Sequence, residues 1–508
     1  MIMAGIRVTG LASGLDTESL VQQLSDAYQT KVDNAKKQQT KAEWKKEAWA
    51  SLNTKIYSFY KDSLNMFKST STYNTKSVSG ELSGVKITAG NKAVNGTHKI
   101  KVNSTASAQM WTGDAIKMPT TNEDGTTTTV ETAAAGSTKL TELGIGEGTK
   151  YTVTVGGEET TIEVGENTTL SSFASELSKL GLNANYDAGQ GRFYISAKDT
   201  GTASAFNIKS TGTNATRALG LDCVDGGKKI AASNAEIVYN DVKYIQSNNS
   251  FSINGLTIEA IEAAGKDDPA QTITVSTDAQ GIYDKVKSFL KEYNSLITEM
   301  NKLYSADSSR GYEPLTSDEK EAMSDDEVEQ WETKIKDSLL RRDSTIGNLL
   351  SSMRTTLNKS VEVTNPDGTT TRYNLASFGI ETGDYTEKGQ LHIYGDSDDS
   401  TYADKEDKLL AAIMANPDAV TQTLTTLGSE MYTNLQNAMK RTELSSALTF
   451  YNDKQLDSEI SDYKDKVTEL QEKLQEEEDR YYEQFSAMEK AMTQLQSKQN
   501  YISQLFSG

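Results

Sequence analysis

An apolar residue returns at every seventh position in residues 456–508, LDSEISDYKDKVTELQEKLQEEEDRYYEQFSAMEKAMTQLQSKQNYISQLFSG. The unbroken series is Ile460, Val467, Leu474, Tyr481, Met488, Leu495 and Ile502. A second series runs beside it, is interrupted at Glu477 and resumes one residue later at Phe485. Such a shift can keep an apolar seam facing one partner, because a straight α-helix drifts about 20° per heptad from a 3.5-residue repeat. The stretch therefore predicts one long coiled-coil helix.

The N-terminal end is also predicted to be helical. Asp16 or Thr17 can cap a helix, because both residue types accept hydrogen bonds from the first turn. Leu20, Leu24 and Tyr28 then follow at helical spacing. We expect this helix to pack against the C-terminal one.

The two terminal helices carry opposite charge. Residues 31–46 contain six Lys against two acidic residues, whereas residues 453–483 contain twelve acidic residues against five basic ones. Opposite charges favour antiparallel association, although an exposed ion pair contributes only about 0–1 kcal/mol. Two interpretations stay open, since the C-terminal seam can pack only within its own chain, or can also join other subunits. We favour the second.

The middle of the chain is predicted to be rich in β-structure. Residues 145–210 alternate apolar and polar positions around Gly-rich turns and one short helix, which indicates a small α+β module. Asn254-Gly255 between two alternating runs predicts a two-residue hairpin. Asn416-Pro417 predicts a break between two helices.

The predicted fold class is α+β multidomain. Terminal helices form a coiled-coil leg, a helical/β leg domain follows, and β-rich plate domains are nested inside it. The predicted domains are 1–45 with 453–508 as the terminal coiled-coil region, 46–104 with 272–452 as the helical/β leg domain, 105–144 with 211–271 as a β-rich head domain, and 145–210 as a small inserted α+β head domain.

Composition disfavours several classes of function. The formal net charge of −20 argues against nucleic acid and anionic membranes, since both reward Lys and Arg. Cys223 has no second cysteine, and His98 and His392 are the only histidines, so neither a disulfide nor an ordinary zinc site is expected. No run approaches the roughly 20 apolar residues that span a bilayer, and the N-terminus does not resemble a cleavable signal peptide. These features alone predict a cytoplasmic protein.

No residue cluster predicts catalysis, a metal site or a cofactor. Both histidines are expected to be structural, and Cys223 is expected to be a packed small residue. Asp325-Asp326 is expected to be solvated, because the acidic residues 305–330 predict a loop or a short exposed helix. Gly144–Gly148 lacks the Lys and Ser/Thr of a phosphate-binding loop and predicts turns. The chain is therefore expected to be non-enzymatic.

Three segments resemble the flagellar filament cap family. The run GLASGLDTESLV at 10–21 resembles the opening of that family, and DRYYEQFSAMEK at 479–490, with QLQS at 494–497, resembles its end. The segment from Asn234 through FSINGL at 251–256 to the helix after Asp278 resembles its hook-type β motif. These segments span the chain in the family's order, whereas residues 105–230 carry no recognisable motif.

The resemblance implies a structural cap at the distal end of the bacterial flagellar filament, which promotes folding and insertion of exported flagellin and prevents its loss. It implies secretion by the flagellar export apparatus, which reverses the cytoplasmic expectation, and a location at the filament tip. The implied partners are other copies in a homo-oligomeric ring (a pentamer or a hexamer), flagellin, the hook–filament junction proteins and a cytoplasmic export chaperone at the C-terminal helix. The residues expected at the filament and self-assembly interface are Leu11, Leu15, Leu20, Leu24, Ile460, Val467, Leu474, Tyr481, Phe485, Met488, Leu495 and Ile502.

Two other structural functions remain open at this stage. A hook–filament junction protein or a flagellin-like subunit would also have helical ends around β domains, although residues 479–488 favour the cap. A surface adhesin would use the Thr/Ser-rich outer domains, and this role is compatible with capping.

Overall fold

The computed structural model describes residues 14–121, 127–365 and 368–506, and it confirms the predicted mixture of helices and sheets. The expected interface residue Leu11 lies outside the described residues. The chain forms two compact units, Met1–Tyr73 with Ala279–Gly508, and Asn74–Asp278. We call them the helical unit and the β unit.

The α-helices of the described residues are α1 (Thr17–Phe59), α2 (Asn65–Phe67), α3 (Thr70–Tyr73), α4 (Leu170–Lys179), α5 (Ala215–Ala218), α6 (Ala279–Tyr304), α7 (Ser317–Glu321), α8 (Asp325–Ser338), α9 (Ser344–Leu357), α10 (Lys408–Ala415), α11 (Pro417–Ala438) and α12 (Asp453–Phe506). α12 is the long helix that the seven-residue repeat predicts.

The strands are β1 (Lys76–Ser79), β2 (Val85–Ala89), β3 (Gly96–Ser104), β4 (Met110–Thr112), β5 (Lys117–Thr121), β6 (Thr127–Ala133), β7 (Lys150–Val155), β8 (Glu158–Glu163), β9 (Leu182–Asp187), β10 (Arg192–Ala197), β11 (Phe206–Ser210), β12 (Lys228–Ile230), β13 (Ala235–Tyr239), β14 (Val242–Gln246), β15 (Ser250–Ile253), β16 (Leu256–Ala260), β17 (Gln271–Thr277), β18 (Val361–Thr364), β19 (Thr370–Tyr373), β20 (Ile380–Thr382) and β21 (Leu391–Ile393). All the strand pairs among them are antiparallel.

Local sequence signals set the helix ends of the helical unit. Asp16 caps α1, and its carboxylate accepts a hydrogen bond from the Ser19 backbone N–H at 3.1 Å. The predicted break at Asn416-Pro417 is confirmed, because α10 ends just before Asn416, which caps α11. α1 passes through a π-helical turn at Tyr60–Leu64 before α2 begins.

One apolar core joins the second half of α1 to α6, α9, α10 and α11. Ile56 on α1, Met300 on α6 and Leu424 on α11 are all fully buried. Phe67 and Phe289 stack with ring centroids 3.6 Å apart. This core buries the end of α1, whereas the earlier part of α1 packs against α12.

Asp325-Asp326 opens the helix α8, so of the two expected alternatives the exposed helix is correct and the loop is not. The Ser324 hydroxyl accepts from the Glu327 N–H, and the Glu327 carboxylate accepts from the Ser324 N–H at 2.9 Å. Acidic residues in a first turn are favoured by the positive end of the helix dipole. The acidic composition therefore marks a helix start.

The first core of the β unit joins two sheets, β1-β17-β3-β13-β14 and β15-β16-β2. Asn254 and Gly255 connect β15 to β16 with φ angles of 51° and 77°, which a two-residue hairpin turn requires. The predicted hairpin is confirmed. His98 lies in this core, where its ring stacks on Tyr239 and its Nδ1 is 2.9 Å from the Tyr239 hydroxyl.

The second core of the β unit contains the predicted α+β elements of residues 145–210, but these elements do not stand alone. β10 pairs with β4, and β4 pairs with β12, so flanking strands complete the sheet. Trp111 and Leu221 pack in the same core as Phe173. The flanking segments are needed because they cover apolar surface that residues 145–210 leave open.

The domain boundaries of the structure consequently differ from the predicted ones. Residues 46–104 and 272–452 are predicted to form one leg domain, whereas β1 and β3 both pair with β17 inside the β unit. The chain enters the second core at Ser107 and leaves it at Ser233, and these two residues are bridged by backbone hydrogen bonds of 3.0 and 3.1 Å. Such pairings join residues more than 100 positions apart, which local patterns do not reveal.

Candidate assembly surface

α1 and α12 pack against each other in antiparallel orientation. The Trp49 ring stacks on Tyr451 at 5.3 Å, just before α12 begins. Lys46 then pairs with Asp457, and Glu43 with Lys464 at 3.8 Å. Along this contact, the residue numbers of α1 decrease as those of α12 increase, so the two helices are antiparallel. Lys46 donates to the Asp457 carboxylate, and this hydrogen bond raises the pKa of the Lys46 amine.

The α1 side of this contact is a seven-residue series that the sequence analysis missed. Its buried members are Val21, Ala35, Ala42 and Trp49, and the same spacing continues to Ile56 in the apolar core of the helical unit. Ser25 and Val32 are buried beside this series, and the Ser25 hydroxyl donates to the Val21 carbonyl at 2.5 Å. The spacing of seven residues is visible in the sequence, but several residues at these positions are small or polar, so the series does not stand out as an apolar repeat. Alanine at such positions lets two helix backbones approach closely.

The predicted N-terminal interface residues occupy other faces of the chain. Leu15 and Leu24 are 44% and 46% exposed, and Leu20 is half-buried. The structure therefore does not bring Leu15 or Leu24 into the contact with α12. Leu24, on the exposed side of α1, remains available to a partner.

The α12 seam is buried near its start and becomes exposed toward its end. Ile460 and Val467 are buried. Leu474, Tyr481, Phe485 and Met488 are half-buried. Leu495, Ile502 and Phe506 are 64%, 51% and 89% exposed.

The exposed end of the seam has a simple geometric cause. The pairs Lys46–Asp457 and Glu43–Lys464 set the register of the two helices, and at 1.5 Å per residue this register places Thr17 beside about residue 488 of α12. The described part of α1 begins at Thr17, so its partner positions on α12 run out before the helix ends. We call Leu495, Ile502 and Phe506 the distal stripe.

The outer face of α12 carries a second pattern, made of acidic residues three or four positions apart. We call it the acidic stripe, and its members are Asp462, Asp465, Glu469, Glu472, Glu476, Asp479 and Glu483, all exposed. Lys466 and Lys473 both pair with Glu469 and lower the pKa of that carboxyl. The two ion pairs between α1 and α12 described above use none of these seven residues. The expected charge attraction between the terminal helices is therefore only partly realised within the chain.

The other candidate residues have local partners. The His392 nitrogens lie 2.6 Å from Asp399 and 2.9 Å from Glu387, and the ring stacks on Tyr402. Burial raises the pKa of the Cys223 thiol, which disfavours the reactive thiolate. Within the described ranges, no group of three or more His, Cys, Asp or Glu is arranged to hold a metal ion. Among the helices described, none is both long and apolar enough to cross a membrane.

Comparisons with known proteins match nearly the whole chain. Residues 13–109 match the family model described as flagellar hook-associated protein 2 N-terminus, and residues 232–497 match the model for its C-terminus. A flagellar hook-associated protein 2 of Halalkalibacterium halodurans is 24% identical, covering 99% of this chain and 100% of the relative. One of Escherichia coli K12 is 26% identical, covering 99% and 98%.

Among solved structures, a similar one is the crystal structure of the flagellar cap protein FliD D1-D2-D3 domains from Escherichia coli. The sequence identity is 20% and the TM-score is 0.49, with 76% of this chain and 95% of that chain covered.

Proposed function

Because the chain belongs to the flagellar hook-associated protein 2 family, we propose that it is a structural cap at the distal end of the bacterial flagellar filament. In this role it promotes folding and insertion of exported flagellin and prevents the loss of flagellin to the medium. It reaches the filament tip through the flagellar export apparatus. It acts as a homo-oligomeric ring, a pentamer or a hexamer, next to flagellin.

The distal stripe is the observation that supports this proposal most directly. Leu495, Ile502 and Phe506 project from one face of α12 and are more than half exposed. A helix in water buries such a stripe against a partner, because each buried side chain contributes about 1.5–3 kcal/mol. We assign the stripe, with Leu15 and Leu24, to contacts with the filament and with neighbouring copies.

The contact has to be reversible, because each newly inserted flagellin displaces the cap. A narrow stripe of a few side chains suits this requirement better than a broad apolar surface. The cost of ordering flexible partners further lowers the net affinity.

The same stripe requires protection before export. An exposed apolar helix face at micromolar concentration associates with other exposed surfaces. We therefore propose that a cytoplasmic chaperone covers the end of α12 until export. On the filament, the hook–filament junction proteins are further neighbours of the cap.

The test is a strain that lacks the gene, complemented with wild-type or variant chains. We expect the deletion strain to export flagellin into the medium and to form few or no filaments, and the wild-type gene to restore them. The measurement compares flagellin in the medium with flagellin on cells. Filaments of normal length in the deletion strain, with little flagellin in the medium, would contradict the capping role.

A paired variant connects this test to the seam. Leu474→Glu with Met488→Glu places two charges on half-buried seam positions, so we expect the β unit to stay folded and filament-tip binding to be lost. Circular dichroism and limited proteolysis check folding, and electron microscopy of filament tips checks binding. Normal filament growth in this variant would rule out the seam as the contact.

A further inference from the structure

A positively charged cleft of about 420 Å³ lies in the helical unit. Its basic residues are Lys41 and Lys45 on α1 and Arg341 after α8, and the hydroxyl residues Ser308, Ser309 and Ser338 also line it. We call this site the basic cleft. The residues surround the cleft with hydrogen-bond donors, although the chain as a whole has a net charge of −20.

The positive charges of the basic cleft lack direct ion-pair partners within the described residues. Arg341 donates from its Nε to the Ala306 carbonyl at 2.8 Å, and that partner is neutral. Lys41 and Lys45 stand four positions apart on one helix face, where like charges destabilise each other. Glu459 also lines the cleft, but it forms no ion pair with any of the three bases. The cleft therefore keeps an excess of two positive charges.

The acidic stripe has the opposite imbalance. Asp465 and Glu469, Glu472 and Glu476, and Asp479 and Glu483 are like-charged pairs four positions apart. Of the four bases between Asp462 and Glu483, Lys464 pairs with Glu43 on α1, Lys466 and Lys473 both pair with Glu469, and Arg480 pairs with Glu477, which lies outside the stripe. In the part of the chain that the structure describes, the cleft and the stripe are thus complementary in charge, and no ion pair there neutralises the stripe members Asp462, Asp465, Glu472, Glu476 and Glu483.

We propose that the basic cleft binds the carboxylates of the acidic stripe of a second copy of this chain. This inference rests on the proposed homo-oligomeric function and assigns one contact between neighbouring copies. The charge complementarity selects the occupant. A charged contact of this kind sets the register and choice of partner more than it adds affinity.

The positions along α12 allow both surfaces to be used at once. The α12 residues that line the cleft are Glu459 and Tyr463. The stripe residue Asp465 lies four residues beyond their midpoint, which is about 6 Å along the axis of α12. At about 100° per residue, the centre of the stripe nevertheless lies roughly 130° around α12 from the centre of the cleft contact. One copy can therefore offer its cleft to one neighbour and its stripe to another, which a closed ring requires.

The experiment measures self-association of the full-length chain by sedimentation velocity at one fixed ionic strength. Lys41→Glu with Lys45→Glu changes the cleft, and Asp465→Lys with Glu472→Lys changes the stripe. We expect each pair to weaken association about tenfold or more, and the four changes together to restore it. The matched control is Lys31→Glu with Lys36→Glu, which makes the same charge change on α1 outside the cleft.

Net charge alone predicts a different pattern. The stripe variant has a net charge of −16, since two acids become two lysines, so weaker repulsion would strengthen association. The cleft variant and its control both reach −24 and would weaken association equally. Loss in the stripe variant together with an unaffected control therefore supports the specific contact. Unchanged association in either variant, or failure of the four changes to restore it, overturns the inference.

Two further measurements separate the remaining explanations. Inorganic phosphate at constant ionic strength is expected to compete and to weaken wild-type association. If phosphate binds the cleft but the stripe variant associates normally, the cleft is an anion site without the proposed occupant, and the inference is overturned. Circular dichroism must show wild-type helicity in every variant. Filament growth is measured separately. If the chain associates through these charges but does not support filament growth, the result contradicts the proposed function and leaves the contact between copies supported.

Discussion

The distal stripe allows a quantitative prediction for Leu495→Glu combined with Ile502→Glu. A fully buried Leu or Ile side chain contributes about 2 kcal/mol. The two side chains are 64% and 51% exposed in the single chain, so a partner can still bury surface worth about 1.3 and about 1.0 kcal/mol. The sum of about 2.3 kcal/mol corresponds to about a 50-fold loss of affinity for the filament tip.

The same substitutions should leave the single chain almost unaffected. Both positions are exposed, and surface substitutions usually change the free energy of unfolding by less than about 0.5 kcal/mol. Ser497→Glu with Asn500→Glu is the matched control, because it adds the same two charges at the same level of α12 on the opposite face. Only the first pair should lower affinity.

The assay is occupancy of isolated filament tips by labelled chain over a range of concentrations, with thermal unfolding as the folding check. An equal loss of affinity in both pairs would show that negative charge, and not apolar contact, controls binding. Unchanged affinity in the first pair would refute the assignment of the distal stripe.

Three further predictions concern the two units. Trp49→Ala removes a side chain that is 2% exposed and stacked on Tyr451. The free energy of unfolding of the helical unit, measured by urea titration, should therefore fall by about 3–5 kcal/mol. A loss below about 1 kcal/mol would mean that this junction is not part of the cooperative core. Replacing residues 108–232 with a short Gly-Ser linker should leave the helical unit and the first β core folded, because Ser107 and Ser233 are already hydrogen-bonded neighbours; proteolysis of the remaining chain would contradict this. Burial raises the pKa of Tyr186 to about 12 from an unfolded value near 10, so the wild-type β unit should lose up to about 3 kcal/mol from this residue as pH rises from 10 to 12. Tyr186→Phe should remove that part of the pH dependence. Urea titrations of both proteins at pH 9 and pH 11.5 measure it, and an equal loss of stability in the wild-type and variant chains would contradict the prediction.

Features encoded in a few neighbouring residues could be predicted from sequence. The repeat from Ile460 to Ile502 predicts α12 because every seventh residue returns to nearly the same helix face. Asp16, Asn254-Gly255 and Asn416-Pro417 predict a cap, a hairpin and a helix break because each acts through its own backbone geometry or hydrogen bonds. None of these predictions needs a distant partner.

The candidate site was only partly predictable for the same reason. Periodicity identifies the apolar members of α12, but it does not state where the partner helix ends. Burial at Val467 and exposure at Leu495 depend on the position of α1 alongside α12. On α1, the buried face follows Val21 and Ala35, because packing selects small residues there, whereas hydrophobicity alone points to Leu20 and Leu24.

The amino-acid sequence by itself determined the long terminal helices, the turn chemistry, the opposite charges of the two ends and the resemblance that indicates the family. Only the tertiary structure decided that residues 76–104 pair with β17 and its neighbours inside the β unit, and that Lys41, Lys45 and Arg341 surround one cleft. The physical reason is sequence separation. Strand pairing and helix packing join residues up to several hundred positions apart, and those contacts are selected by the burial of whole surfaces, which no local pattern encodes.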